Sequence, residues 1–304
     1  MTDQYATDQF VIVGGGLAGA TAAQTLREEG FSGPIILIGE EPHRPYERPP
    51  LSKGYLTGGA ERESMFVHGA DWYSDHNVTL LTGVRVTAID RSARTVVTAD
   101  GMRLRYAKLL LATGSTPRVL PAPGADLDGV LTLRTIADAD RIAPHLVPDA
   151  HVVVIGGGWI GLEVAAAARQ RGAEATVVET ATLPLQRVLG REVAQFFADL
   201  HLANGVHLMT GRSVRELRGH GRVESVELTD GTRLRADVVV VGIGVWPTVD
   251  LAVAAGLDVR DGVLTDASLR TSDPDIFAAG DIAEFAHPRL GRSLRVEHWA
   301  NARD

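Results

Sequence analysis

The 304-residue sequence contains no cysteine. Disulfide staples, zinc sites built on thiolates and iron–sulfur clusters held by its own residues are therefore excluded. No apolar run reaches the ~18 to 20 residues that a membrane-spanning helix requires. The opening MTDQYATDQF also lacks the basic and apolar regions of a secretory signal. Together these give the expectation of a soluble, cytoplasmic protein. Positive charge is in deficit as well: 30 Lys and Arg against 38 Asp and Glu leave a formal net charge of −8. That balance argues against nonspecific nucleic-acid binding, although a local basic patch can still serve an acidic partner.

What the sequence has instead is a repeat. VIVGGGLAGA at Val11 to Ala20 and VVVIGGGWIGLEVAAAA at Val152 to Ala168 are each an apolar run, a glycine-rich turn and an alanine-rich helix. The G-x-G-x-x-G spacing is complete in both, at Gly14, Gly16, Gly19 and at Gly156, Gly158, Gly161. The first glycine permits a tight strand-to-helix turn, the second lets backbone approach a pyrophosphate, and the third lets helix pack on strand. The helix N-terminus then offers free N–H groups and a partial positive charge. Two nucleotide phosphate sites are expected.

Each turn is followed by a second apolar run ending in an acid, Ile35 to Glu40 and Ala175 to Glu179. Both acids lie roughly 20 residues past their turn, where a carboxylate accepts hydrogen bonds from an adenosine ribose; the competing reading is a solvated glutamate at a strand end. The alternation of β-branched runs with alanine-rich amphipathic stretches predicts α/β architecture: parallel sheets covered by helices, in two Rossmann-like domains. A length of 304 residues is ample for two such cores.

Three further segments stand out. Arg44-Pro45-Tyr46-Glu47-Arg48-Pro49-Pro50-Leu51-Ser52-Lys53 is stiffened by prolines and carries Arg48 and Lys53. Leu109 to Arg118 reads as a buried strand ending in a small-residue turn, suited to passing the chain from one domain to the next. Thr271 to Asp281 reads as a strand stopping at Gly280-Asp281. Asp281 there has two compatible roles, accepting from a sugar-alcohol hydroxyl or capping the next helix.

With these residues in hand, the chain resembles the FAD-dependent, NADH-using ferredoxin reductases that supply cytochrome P450s and ring-hydroxylating dioxygenases, which share the glutathione-reductase fold. The resemblance runs from Phe10 to the last residue and is carried most specifically by RPYERPPLSKGYL, GGGWIGLEVAA, TSDPDIFAAGD and RVEHWANA. It implies an FAD domain in two segments, 1–116 and 248–304, and an NAD domain at 117–247. FAD contacts are then expected from Gly14, Gly16, Ala18, Gly19, Glu40, Arg48, Lys53, Val86, Arg134, Asp281 and Trp299, and NAD(H) contacts from Gly156, Gly158, Ile160, Gly161, Glu179, Arg187 and Gly244. Two departures from the family are visible: Thr248 stands where asparagine is common, and the chain stops at Asp304 where such reductases continue into a third, interface domain.

The resemblance further implies that NADH passes a hydride to flavin N5 and that electrons then leave singly for a small acidic [2Fe–2S] ferredoxin. Without cysteine there is no thiol pair to relay them. Lys53 and Glu163 are the expected catalytic pair beside N5, with stabilisation of a helix N-terminus as the plainer role for Glu163. Glu179 would repel a 2′-phosphate and favour NADH, and Arg187 either reaches the dinucleotide or is a surface charge. Arg289, Arg292, Arg295 and Arg303, around His287, His298 and Trp299, form the expected docking patch, against the alternative of a solvated basic loop and a core tryptophan. No metal site is expected, and the oligomeric state is expected to be a monomer or weak homodimer. Other acceptors (rubredoxin, a quinone or oxygen) and a non-catalytic NADH-sensing role like that of apoptosis-inducing-factor relatives fit the same motifs.

Overall fold

A computed structural model describes residues 8–304. Residues 1–7, which hold most of the start considered for a targeting signal, lie outside the described residues. The chain divides into two compact units.

The first unit comprises the described residues up to Glu47, with Met65–Thr116 and Pro247–Asp304. Its main sheet has five parallel strands in the order Ile276–Ala278, Lys108–Leu111, Phe10–Val13, Ile35–Ile38 and Val78–Leu81. Strands of this kind, covered on both faces, need near-continuous apolar runs, and FVIV and IILI supply them. Val11 and Leu37 are fully buried, and each such side chain contributes about 1.5–3 kcal/mol relative to exposure. The helix Leu17–Glu28 buries Gly19, Ala20 and Ala23, small residues that let it lie close to the sheet.

The second unit comprises Arg48–Ser64 and Pro117–Trp246. Its five parallel strands run Val206–Thr210, Glu174–Glu179, His151–Ile155, Val238–Val241 and Val130–Leu131. The helix Trp159–Gln170 follows the strand His151–Ile155, as Leu17–Glu28 follows Phe10–Val13. The duplication also extends past the glycine motifs. In the first unit an antiparallel meander, Val86–Asp90, Thr95–Thr98 and Arg103–Arg105, leads into Lys108–Leu111. In the second, Val214–Arg218, Ser225–Leu228 and Arg233–Arg235 lead in the same way into Val238–Val241.

The two units differ from the expected domain segments at residues 48–64 and at Pro247, which falls in the first unit. Residues 48–64, assigned by sequence to the 1–116 segment, group with the second unit. The reason is local: the Tyr55 hydroxyl donates to Asp140 at 2.6 Å, Arg171 donates to the Leu56 carbonyl at 3.1 Å, and the Leu56 side chain is fully buried. Among the described residues no helix is long and apolar enough to cross a membrane.

Candidate functional site

In the first turn, steric room decides which residue can stand where. Gly14 has φ +128°, and a Cβ there would lie 2.0 Å from the Ala112 carbonyl oxygen, so only glycine fits. A Cβ on Gly19 would lie 2.1 Å from the Gly14 oxygen. Gly16 is different. It starts the helix in extended conformation, no side chain caps the helix, and a Cβ would meet nothing within 4 Å. The space beside Gly16 is open at an uncapped helix N-terminus, the arrangement that receives a diphosphate.

The late segment closes on this turn from the other side. A Cβ on Gly280 would lie 3.1 Å from Ala18 and 3.9 Å from Ala302, which sets the Gly280-Asp281 turn and the helix Trp299–Arg303 beside the helix Leu17–Glu28. Ser115 donates to Asp281 Oδ2 at 2.8 Å. Trp299 Nε1 is buried with no partner among the described residues, an unmet donor beside that turn. The open cradle at Gly16 and the unmet Trp299 donor fit a bound dinucleotide such as FAD. Two other expected contacts are occupied differently. Glu40 pairs with Arg85 at 3.0 Å on an exposed surface, and the Val86 side chain is buried in the core with Val11 and Val13, leaving only its backbone to reach a ligand.

The second turn repeats the sterics. A Cβ on Gly156 (φ +108°) would lie 2.4 Å from the Gly242 oxygen, one on Gly161 would lie 2.1 Å from the Gly156 oxygen, and Gly158 has no neighbour closer than 3.9 Å. Electrostatically it is not the same. Glu179 accepts from the Gly157 N–H at 2.6 Å with one oxygen, and from the Ala181 N–H at 2.7 Å and the Thr180 hydroxyl at 3.1 Å with the other. The carboxylate thus stands in the mouth of its own turn. Sheet register explains why Glu40 does not. Gly14 N–H donates to Ile38 and Gly156 N–H to Val178, both at 2.8 Å, so Glu179 occupies the place of Gly39 and Glu40 lies one residue further on. The two acids, treated alike in the sequence, are not at equivalent positions.

Around the second turn, Ile160 is half-buried and Arg187 exposed. Gly244 (φ +100°) backs onto Arg118, whose Nε lies 3.5 Å from its Cβ position and whose guanidinium lies 3.6 Å from the Trp246 ring centroid. In the first unit, Thr248 shares a 2.9 Å hydrogen bond with the Thr116 hydroxyl and accepts from Thr113 at its carbonyl, so the threonine in place of asparagine is fully engaged.

The second unit also holds the charged pair. Lys53 Nζ lies 2.9 Å from Glu163 Oε1, and the Ser52 hydroxyl donates to Glu163 Oε2 at 2.5 Å. Arg48 donates to the Arg134 carbonyl. Ser52, Arg85, Ser115 and Arg118 carry no distinct sequence signal; serine and arginine acquire a role only once folding places their partners.

The basic patch is smaller than expected. Arg289 and Arg292 are exposed, but Arg295 is largely buried and engaged with Glu297 at 2.5 Å and Asp261 at 3.3 Å. Arg303 pairs with Asp304 at 2.9 Å and lies 4.3 Å from the Trp299 ring centroid. His287 Nδ1 accepts from the Arg289 and Leu290 amides, and His298 Nδ1 from the Ala300 amide, so both rings hold local backbone.

Fold and turns together define a protein with two dinucleotide-binding units of the glutathione-reductase type. Residues 8–304 match the model of the pyridine nucleotide-disulphide oxidoreductases, and the chain belongs to that family. It is 44% identical over 296 residues to a rhodocoxin reductase of Rhodococcus erythropolis, covering 97% of this chain and 69% of that protein. It is 45% identical over 295 residues to the ferredoxin–NAD(+) reductase component of an anthranilate 1,2-dioxygenase system of Burkholderia cepacia, covering 96% and 72%. The reductase in the crystal structure of a covalent putidaredoxin reductase–putidaredoxin complex superposes with a TM-score of 0.95 at 42% identity, covering 98% of this chain and 73% of that one. With no cysteine in these 304 residues, the thiol chemistry of the family name has no residue here to carry it.

Proposed function

We propose that this chain is an FAD-dependent NADH:ferredoxin oxidoreductase, passing electrons to a small [2Fe–2S] ferredoxin that serves a P450 or a dioxygenase. One observation carries the reading: two open glycine cradles, at Gly16 and Gly158, in a chain with no thiol. Bound FAD supplies what no side chain here can, hydride acceptance from a nicotinamide followed by release of single electrons. The residues bind, orient and discriminate.

In this reading the first unit holds FAD. Gly14, Gly16, Ala18 and Gly19 present the helix N-terminus to its diphosphate, Glu40 reaches the adenosine ribose, and Asp281 and Trp299 contribute from the late segment. The second unit holds NADH through Gly156, Gly158, Ile160, Gly161 and Gly244, with Arg187 at its rim. Glu179, already bonded to two backbone amides, sets a fixed negative charge where a 2′-phosphate would have to lie. Lys53 and Glu163 serve as the charged pair for hydride transfer, and Arg48 and Arg134 brace the segment that carries Lys53.

The acceptor docks at the exposed arginines of the hairpin Ala283–His287 and Arg292–Arg295, chiefly Arg289 and Arg292. The protein works in the cytoplasm as a monomer or weak homodimer. NADH-driven reduction of a panel of carriers tests this reading. A [2Fe–2S] ferredoxin should be reduced faster than rubredoxin, quinone or oxygen, with a rate that falls steeply from low to physiological ionic strength. Faster reduction of rubredoxin or oxygen, or a flat salt profile, would reject the assignment of acceptor or surface.

A further inference from the structure

Ser52 and Lys53 are consecutive, and consecutive side chains normally diverge. Here both reach one carboxylate. The chain turns from the 3₁₀ segment Pro49–Ser52 into the short helix Gly54–Thr57, and Lys53 at the junction has φ −119° and ψ −116°, outside the regular helix and strand regions. That junction aims the Ser52 hydroxyl at Glu163 Oε2, 2.5 Å away, and the Lys53 ammonium at Oε1, 2.9 Å away. Ser52 is buried at 6% exposure, whereas the Lys53 side chain is 53% exposed and Glu163 28%. The fixed partner of Glu163 is therefore the serine, and the mobile one is the lysine.

A carboxylate on a helix has freedom about its last two bonds, and a half-exposed ion pair by itself holds it weakly. A hydrogen bond from a buried hydroxyl to a charged oxygen is stronger and directional. It pins one oxygen and leaves the other presented outward. Lys53 also donates to the Pro49 carbonyl at 3.3 Å, on the same turn as Ser52. Pro49 and Pro50 stiffen that turn by fixing its backbone dihedrals.

We infer that Ser52 is a positioning residue: by holding Glu163 Oε2 it aims Oε1 at Lys53 and sets the ammonium in place for hydride transfer. This rests on the Lys53–Glu163 reading above, and the test separates the two. The measurements use the FAD-loaded full chain. Trace acylation of Lys53 by acetic anhydride, read by mass spectrometry, reports how firmly the amine is held against its carboxylate partner, because an amine released from the pair reacts faster. Stopped-flow flavin reduction over a pH series is the second readout.

Glu163→Gln should raise Lys53 acylation most. Ser52→Ala should raise it by a smaller factor, on the order of three- to ten-fold, slow flavin reduction by a like factor, and leave NADH affinity unchanged. Ser52→Thr, which keeps the hydroxyl, should restore the parent acylation rate and pH profile. If Ser52→Ala acylates at the parent rate while Glu163→Gln does not, the serine has no positioning role and the ion pair stands. If Glu163→Gln also acylates at the parent rate, the pair itself is wrong and the inference falls with it.

Discussion

Across from the second position of the first glycine turn stands Gly39, and across from that of the second stands Glu179. A Cβ on Gly15 would come 2.9 Å from the Gly39 Cα, backbone against backbone, whereas one on Gly157 would come 3.1 Å from a Glu179 carboxylate oxygen. The backbones are otherwise duplicates, down to the clash of each third glycine with the first. One residue of register thus separates a turn whose helix N-terminus is unopposed from a turn that carries its own anion. The first suits a resident dinucleotide held by its diphosphate. The second suits a dinucleotide that must arrive and leave, because part of the attraction for phosphate is already offset.

The sharpest way to break this comparison is to block each cradle in turn. Both Gly16 and Gly158 have room for a side chain within the protein, so valine there should fold and obstruct only the ligand. Gly16→Val should purify colourless, with FAD affinity reduced by more than about 100-fold. Gly158→Val should purify yellow and lose reduction by NADH. Absorbance spectra and anaerobic titration check both, and a yellow Gly16→Val protein of parent stoichiometry contradicts the assignment of the first unit.

A smaller effect is expected at the acids. Glu179→Gln should narrow the preference for NADH over NADPH by about ten-fold, corresponding to ~1.4 kcal/mol, while Glu40→Gln should leave that preference alone and weaken only FAD. Steady-state kcat/KM with both nucleotides decides it. Equal discrimination in parent and Glu179→Gln would remove the carboxylate from cofactor choice.

The smallest effect concerns acid stability, with one histidine in each unit. Burial holds His68 below its ordinary value of 6.5, and burial does the same to His201. The unfolded chain therefore takes up protons between pH 6.5 and the lower folded values, and stability falls with pH across that window. His68 is stacked on Trp72 at 3.9 Å, and Trp72 on His76 at 4.4 Å, so His68→Gln loses packing but also loses this pH dependence. Tm measured from pH 7.5 to 5.5 should decline less in His68→Gln than in the parent. Parallel declines would place the acid sensitivity elsewhere.

Much of this was legible in the sequence because glycine spacing and apolar runs are local. The strands FVIV and IILI and the two turns follow from composition and periodicity. Register is not local: Gly39-Glu40 and Glu179-Thr180 both leave an acid about 20 residues past a turn, and only the hydrogen bonds of Gly14 and Gly156 show them out of phase. The segment Arg44 to Lys53 reads as stiff, since it is rich in proline, but stiffness does not say where residues 48–64 pack; Asp140, Arg171 and Glu163 decide that, and all lie more than 70 residues away. The basic patch shrank for the same reason, because the partners of Arg295 are set by folding.

In the reading proposed above, electrons enter from NADH and leave through FAD without any thiol. Anaerobic stopped-flow mixing of the FAD-loaded protein with NADH, followed by a [2Fe–2S] ferredoxin, tests it directly. Rapid bleaching of the flavin is expected, followed by its reoxidation as the ferredoxin is reduced. A slow, long-lived charge-transfer complex that passes nothing to the ferredoxin would contradict it.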